Sequence, residues 1–139
     1  MMRPAPTTAQ TRLDTVPAIA QLADALGHAS TGLFNYRRDN PNAANLEQVH
    51  KLELSLDRRA TELRTQAVRV LGEQAAQAIA GLQEAAQRVD AFLAGVKTVE
   101  SRLTLASAVI ALAGATLAGD AGDILTAVVA VHAALDGAA

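Results

Sequence analysis

The sequence predicts an all-α protein: an antiparallel helical bundle of four or five helices, with long amphipathic central helices and an apolar helical hairpin at the C-terminus. Three observations carry this. Alanine makes up nearly a quarter of the 139 residues, leucine is plentiful, and Gln, Glu and Arg fill most polar positions; all lose little on entering a helix. The four prolines, at positions 4, 6, 17 and 41, lie in the first 41 residues, leaving the rest free of the strongest helix breaker. Apolar residues recur at steps of three and four rather than two. With Phe34, Tyr36 and Phe92 as the aromatics, the core must be aliphatic and small, and long helix contacts have to supply the buried area.

The elements follow in order. The opening MMRPAPTTAQ has no apolar run, lacks the hydrophobic middle of a secretory signal and reads as a flexible lead-in over 1–13. A first helix is expected over 14–30, capped by Asp14 or Thr15, with Pro17 in its first turn and Val16, Ile19, Ala20, Ala23 and Leu26 on one face. The segment 31–42, TGLFNYRRDNPN, has the composition of a loop. The second helix, 44–71, carries Val49, Leu52, Leu56, Ala60, Leu63, Ala67 and Val70 in one stripe. Gly72 marks a turn. In 73–97, Ala75, Ile79, Leu82, Ala86, Val89, Leu93 and Val96 alternate steps of four and three, the pattern of a left-handed helix-packing seam. Thr98 and Glu100 fit the start of a further helix over 98–118, although Val99 and Leu103 also allow 73–118 to be continuous. From Leu103 to Gly119 there is no charge, and Ser107, Ala111, Ala115 and Gly119 form a four-spaced strip of small side chains against which another helix fits closely. The motif GDAGD, with Asp120 or Asp123 as cap, opens a last helix over 122–136 bearing Ile124, Val128, Val131 and Leu135 on one side.

Size and charge set the class. The length is that of one ordinary domain, placed at 14–139. The net charge of -2 divides unevenly, nine Lys and Arg against seven Asp and Glu before Glu73 and three against seven from there on. Neither half has the clustered basic face of a nucleic-acid binder. The chain has no cysteine, which excludes disulfides, zinc–cysteine sites and thiol catalysis. Alanine richness and the preference for Arg over Lys point to a bacterial source.

Chemical motifs are sparse. Glu47 and His50 make one E-x-x-H, whereas a carboxylate-bridged di-iron bundle needs it twice with two further glutamates. His28, His50 and His132 are dispersed, no serine stands in G-x-S-x-G, and no glycine pattern cradles a phosphate. Asp120 and Asp123 are too few for a calcium loop and read as caps. No catalytic, cofactor or metal residue is assigned. Arg58, Arg59, Arg64 and Arg69 stand among Glu53, Asp57 and Glu62 as a solvated, ion-paired face. Phe34, Tyr36, Arg37 and Arg38 combine residue types enriched at binding hot spots, so they are the candidate partner site; the alternative tucks Phe34 into the bundle end and pairs the arginines with Asp39 or water.

The leading expectation is a non-enzymatic, cytoplasmic bundle protein acting through self-association or a protein partner, with the heptad seam and the small-residue strip as contact surfaces. The second is a membrane-associated protein inserting 103–139 as a hairpin, with Lys97 and Arg102 on the cytoplasmic flank. The third is an enzyme or a pocket for an apolar ligand between helices.

Overall fold

A computed structural model of the chain describes the backbone of residues 8–95 and 98–138, and side chains over 15–95 and 98–137. Five helices pack against one another: α1 (Thr8–Asp39), α2 (Leu46–Thr65), α3 (Ala75–Leu93), α4 (Val99–Ala118) and α5 (Ala121–Ala138). The core is aliphatic. Leu22, Leu26 and Leu33 of α1 meet Val49 and Leu56 of α2, Leu82 and Val89 of α3, Leu105, Val109 and Leu112 of α4, and Ile124 and Val131 of α5 in one cluster.

Contacts do not follow chain order. α1 touches α2, α3 and α4; α5 touches α3 and α4; α2 also touches α4. Among the described residues, the successive pairs α2 and α3, and α3 and α4, do not pack against each other. Side-chain pairs give directions: Asp24 faces Arg64 and Arg37 faces Glu53, so α1 and α2 run oppositely. His28 faces Asp90, and Pro17 lies beside Ile79, so α1 and α3 run the same way. α3 and α5 do likewise, with Gly81 against Val128 and Arg88 against Asp136.

Several boundaries differ from expectation. α1 begins at Thr8, so residues 8–13 of the expected lead-in are helical, while 1–7 lie outside the described residues. Pro17 accordingly stands well inside the helix, where it withholds one backbone donor, rather than in the first turn. The expected loop 31–42 is helical up to Asp39, because Leu33 prolongs the buried row of Leu26 and Ala29 against the neighbouring helices. Burial of that stripe outweighs the turn preferences of Gly32 and Asn35. The turn occupies 40–45.

α2 stops six residues early, at Thr65, and Gln66 is extended with φ -93° and ψ 142°. The following stretch leaves the helix to bury Val70 and to bridge the α4–α5 turn: the Leu71 amide donates to Gly119 O at 2.7 Å, and the Ala121 amide donates to Leu71 O at 3.0 Å. Gly72, at φ +117°, makes the turn into α3. α3 ends at Leu93 rather than 97, so 73–118 comprises two helices; Val96 and Lys97 lie outside the described residues. Thr98 caps α4, its hydroxyl accepting from the Ser101 amide at 3.2 Å. Asp120 caps α5 by accepting from the Asp123 amide at 2.9 Å. Between them Gly119 adopts φ +82°, the left-handed stop that glycine permits, and a Cβ there would collide with the Arg69 carbonyl oxygen.

Candidate interaction surfaces

The four residues grouped at 34–38 face different ways once α1 runs through them. Arg37 turns to α2, where Nε donates to Glu53 Oε2 at 2.8 Å and Nη2 to Oε1 at 3.2 Å, a two-pronged pair. The Glu53 bond holds the guanidinium above its ordinary pKa, against partial burial, and the carboxylate's charge adds to it. The same guanidinium lies 5.5 Å from the centre of the Phe34 ring, and Phe34 remains exposed. Tyr36 packs on the core from another side and donates its hydroxyl to Asn45 Oδ1 at 3.3 Å. Arg38 pairs with its neighbour Asp39, at 3.1 Å in open solvent. Phe34 and Arg38 are thus the outward members of the group.

Glu53 is the polar residue that reading by composition placed wrongly. The arginines around it suggest the solvated face of α2, yet it is buried at 5% exposure. The register shows why: Val49, Glu53, Leu56, Ala60 and Leu63 form one row at steps of four and three, and all are buried. Part of that face is ion-paired with water access, Arg58 and Arg59 with Glu62 and Arg64 with Asp24, whereas Arg69 lies beyond the end of α2 and outside these pairs.

The remaining polar clusters stitch helices together. Arg88 of α3 bonds His132 Nδ1 at 2.6 Å and Asp136 at 2.8 Å. A guanidinium only donates, so the bond sets His132 with its Nδ1 lone pair toward Arg88. His28 Nδ1 lies 2.8 Å from Asp90 Oδ1 across α1 and α3. Glu47 and His50 do not converge: Glu47 pairs with Lys51 at 3.6 Å, and His50 is exposed. Among the described residues no group of three or more His, Cys, Asp or Glu is gathered for a metal.

The small-residue strip divides by orientation. α4 buries Leu105, Ala106, Val109, Leu112, Ala113 and Thr116. Ser107 and Ala111 lie on the opposite side and are exposed, Ala115 is half-buried, and Gly119 is buried in the turn. Thr104 and Ala118 extend the outward row. On α5, Thr126, Val129, Ala130 and Ala133 are likewise exposed, Val129 at 67%. These rows carry no charge between Glu100 and Asp136 at one end and Asp120 and Asp123 at the other, and Arg59 borders them beside Gly114. α4 is long and apolar enough to cross a membrane, with 33% of that stretch buried against protein. Compared with known protein families, curated proteins and solved structures, the chain matches none.

Proposed function

We propose that the chain is a non-enzymatic helical-bundle protein acting in the cytoplasm by assembly: it self-associates, or holds a protein partner, through the outward face of α4 and α5. The observation that carries this reading is the lack of charge on that face. A helix with one side in a core ordinarily puts charge on the other, as α2 does with Glu47, Lys51, Asp57 and Arg58. α4 instead turns Thr104, Ser107, Ala111 and Ala118 outward, and α5 turns out Thr126, Val129, Ala130 and Ala133. Small side chains let a second helix approach closely with little rotamer freedom to lose.

The test is light scattering coupled to size exclusion, without detergent, on the full chain and on Ala111→Glu and Val129→Glu. These sites are exposed, so the fold tolerates the charge and circular dichroism should not change. The native chain should elute as an oligomer and each variant at the 14.4 kDa of one copy. A native monomer at every concentration refutes self-association.

The length and apolarity of α4 favour a second reading, in which 103–139 enters a bilayer as a hairpin. It requires Leu105, Val109 and Leu112 to leave the core they now fill. Flotation of the native chain with phospholipid vesicles, lost in Val129→Glu, would favour that reading over assembly.

A further inference from the structure

At the end of the bundle where α1 runs past α2, a pocket of about 510 Å³ opens between the two helices. Its walls are Val16, Ile19 and Ala20 on α1, with Leu63, Ala67 and Val68 opposite. The pocket exists because α2 stops at Thr65: the extended stretch that follows swings toward the α4–α5 turn and leaves this length of α1 uncovered. Ile19 and Leu63 are buried and make the floor, while Val16 stands 68% exposed at the mouth. An apolar concavity of this size lies within the range of about 300–1,000 Å³ usual for small-molecule sites.

Three polar residues stand at the rim: Arg64, Gln66 and Arg69. Arg64 is engaged, donating to Asp24 at 3.0 Å. Arg69 is exposed and has no ion-pair or side-chain hydrogen-bond partner among the described residues. The site therefore combines an apolar interior with one uncommitted cation at its edge. Its dimensions choose between occupants. Val16 to Ala20 is little more than one helical turn, about 6 Å of axis. A docking amphipathic helix needs anchors over two turns or more, and this wall is too short for them.

We propose that this pocket binds a single-chain carboxylate amphiphile of the fatty-acid class, with the alkyl chain between Ile19 and Leu63 and the carboxylate on Arg69. The proposal is independent of assembly through α4 and α5, which lies on another face. The experiment is calorimetric titration of the full chain with sodium decanoate below its micelle concentration, and separately with 1-decanol. Decanoate should bind at one site per chain. Ala20→Phe and Ala67→Phe, both at exposed wall positions, should abolish binding while leaving the thermal transition in place. Arg69→Gln should weaken decanoate about tenfold, the scale of one charge-assisted hydrogen bond, and leave decanol unchanged. Two wall variants guard against one misfolding. The proposal is overturned by absence of saturable binding up to about 1 mM, a level equivalent to a negligible site. Uptake of many molecules per chain, or binding that survives both phenylalanine substitutions, overturns it equally.

Discussion

Gly119→Ala should be among the most damaging single-methyl changes this chain can receive. The backbone at Gly119 has φ +82°, a region that costs an L-residue about 1–2 kcal/mol. The added Cβ would also point into the Arg69 carbonyl oxygen. That atom belongs to backbone and cannot swing aside, so the two chain segments must separate. Separation breaks the bonds from the Leu71 amide to Gly119 O and from the Ala121 amide to Leu71 O, each contributing about 1 kcal/mol net. The expected loss is about 3–4 kcal/mol. At about 2.1 cal/mol/K per residue over the 139 residues, this lowers the melting temperature by roughly 10–14 °C. Gly122→Ala supplies the control. Gly122 lies in the first turn of α5, exposed, and its Cβ would meet no backbone, only Asp120 Oδ1 at 3.2 Å, so any loss there is limited to that cap. Alanine there gains up to about 1 kcal/mol of helix preference. Urea denaturation followed by circular dichroism measures both. If Gly119→Ala unfolds within about 1 kcal/mol of the native chain, the left-handed stop and the clamp are not what secures this end of the bundle.

Three further outcomes follow from the polar contacts. Glu53→Ala should lower the urea midpoint by stripping Arg37 of its buried partner, and Arg37→Leu combined with Glu53→Leu should recover most of the loss, because removing both partners leaves no orphaned charge; a double variant weaker than Glu53→Ala would contradict this. The raised pKa of Arg37 fixes the sign of its pH dependence: its contribution is complete below the ordinary arginine value and fades only in strong alkali, so a midpoint falling between pH 8 and 9 would have another source. Thr98→Ala should cost about 1 kcal/mol by removing the α4 cap, with Thr98→Ser close to neutral, as read from thermal melts.

Signals that act within a few residues could be read from the sequence alone. Thr98 as a cap, Gly72 as a break and Gly119 followed by Asp120 as a stop and restart are local chemistry, and each stands where such chemistry places it. The misread boundaries depend on distant partners. Residues 31–39 carry turn formers, yet their helix is held by Leu33 in the core and by Arg37 on Glu53, sixteen residues onward. Ala67 and Val70 continue the helical spacing of α2, and nothing nearby announces that Leu71 pairs with the turn at Asp120. Glu53 was legible, since its register with Val49 and Leu56 places it inward. The outward direction of Ser107 and Ala111 was not: α4 is apolar or small all round, so its spacing does not distinguish core from surface. The pocket beside Arg69 was hidden for the same reason as the end of α2.

The contact order of the helices bears on how the chain comes together during synthesis. α3 touches neither the helix before it nor the helix after it; its partners are α1 and α5. Emerging from the ribosome, α1 and α2 have each other as soon as the turn at 40–45 is made, but α3 can cover only one flank until the last helix arrives. Gly81 and Arg88 then wait on Val128 and Asp136, their partners on α5. Closing that distance places the slow, non-local step after α5 has emerged, and a chain halted before α5 leaves the ribosome with an open seam for chaperones or proteases to find.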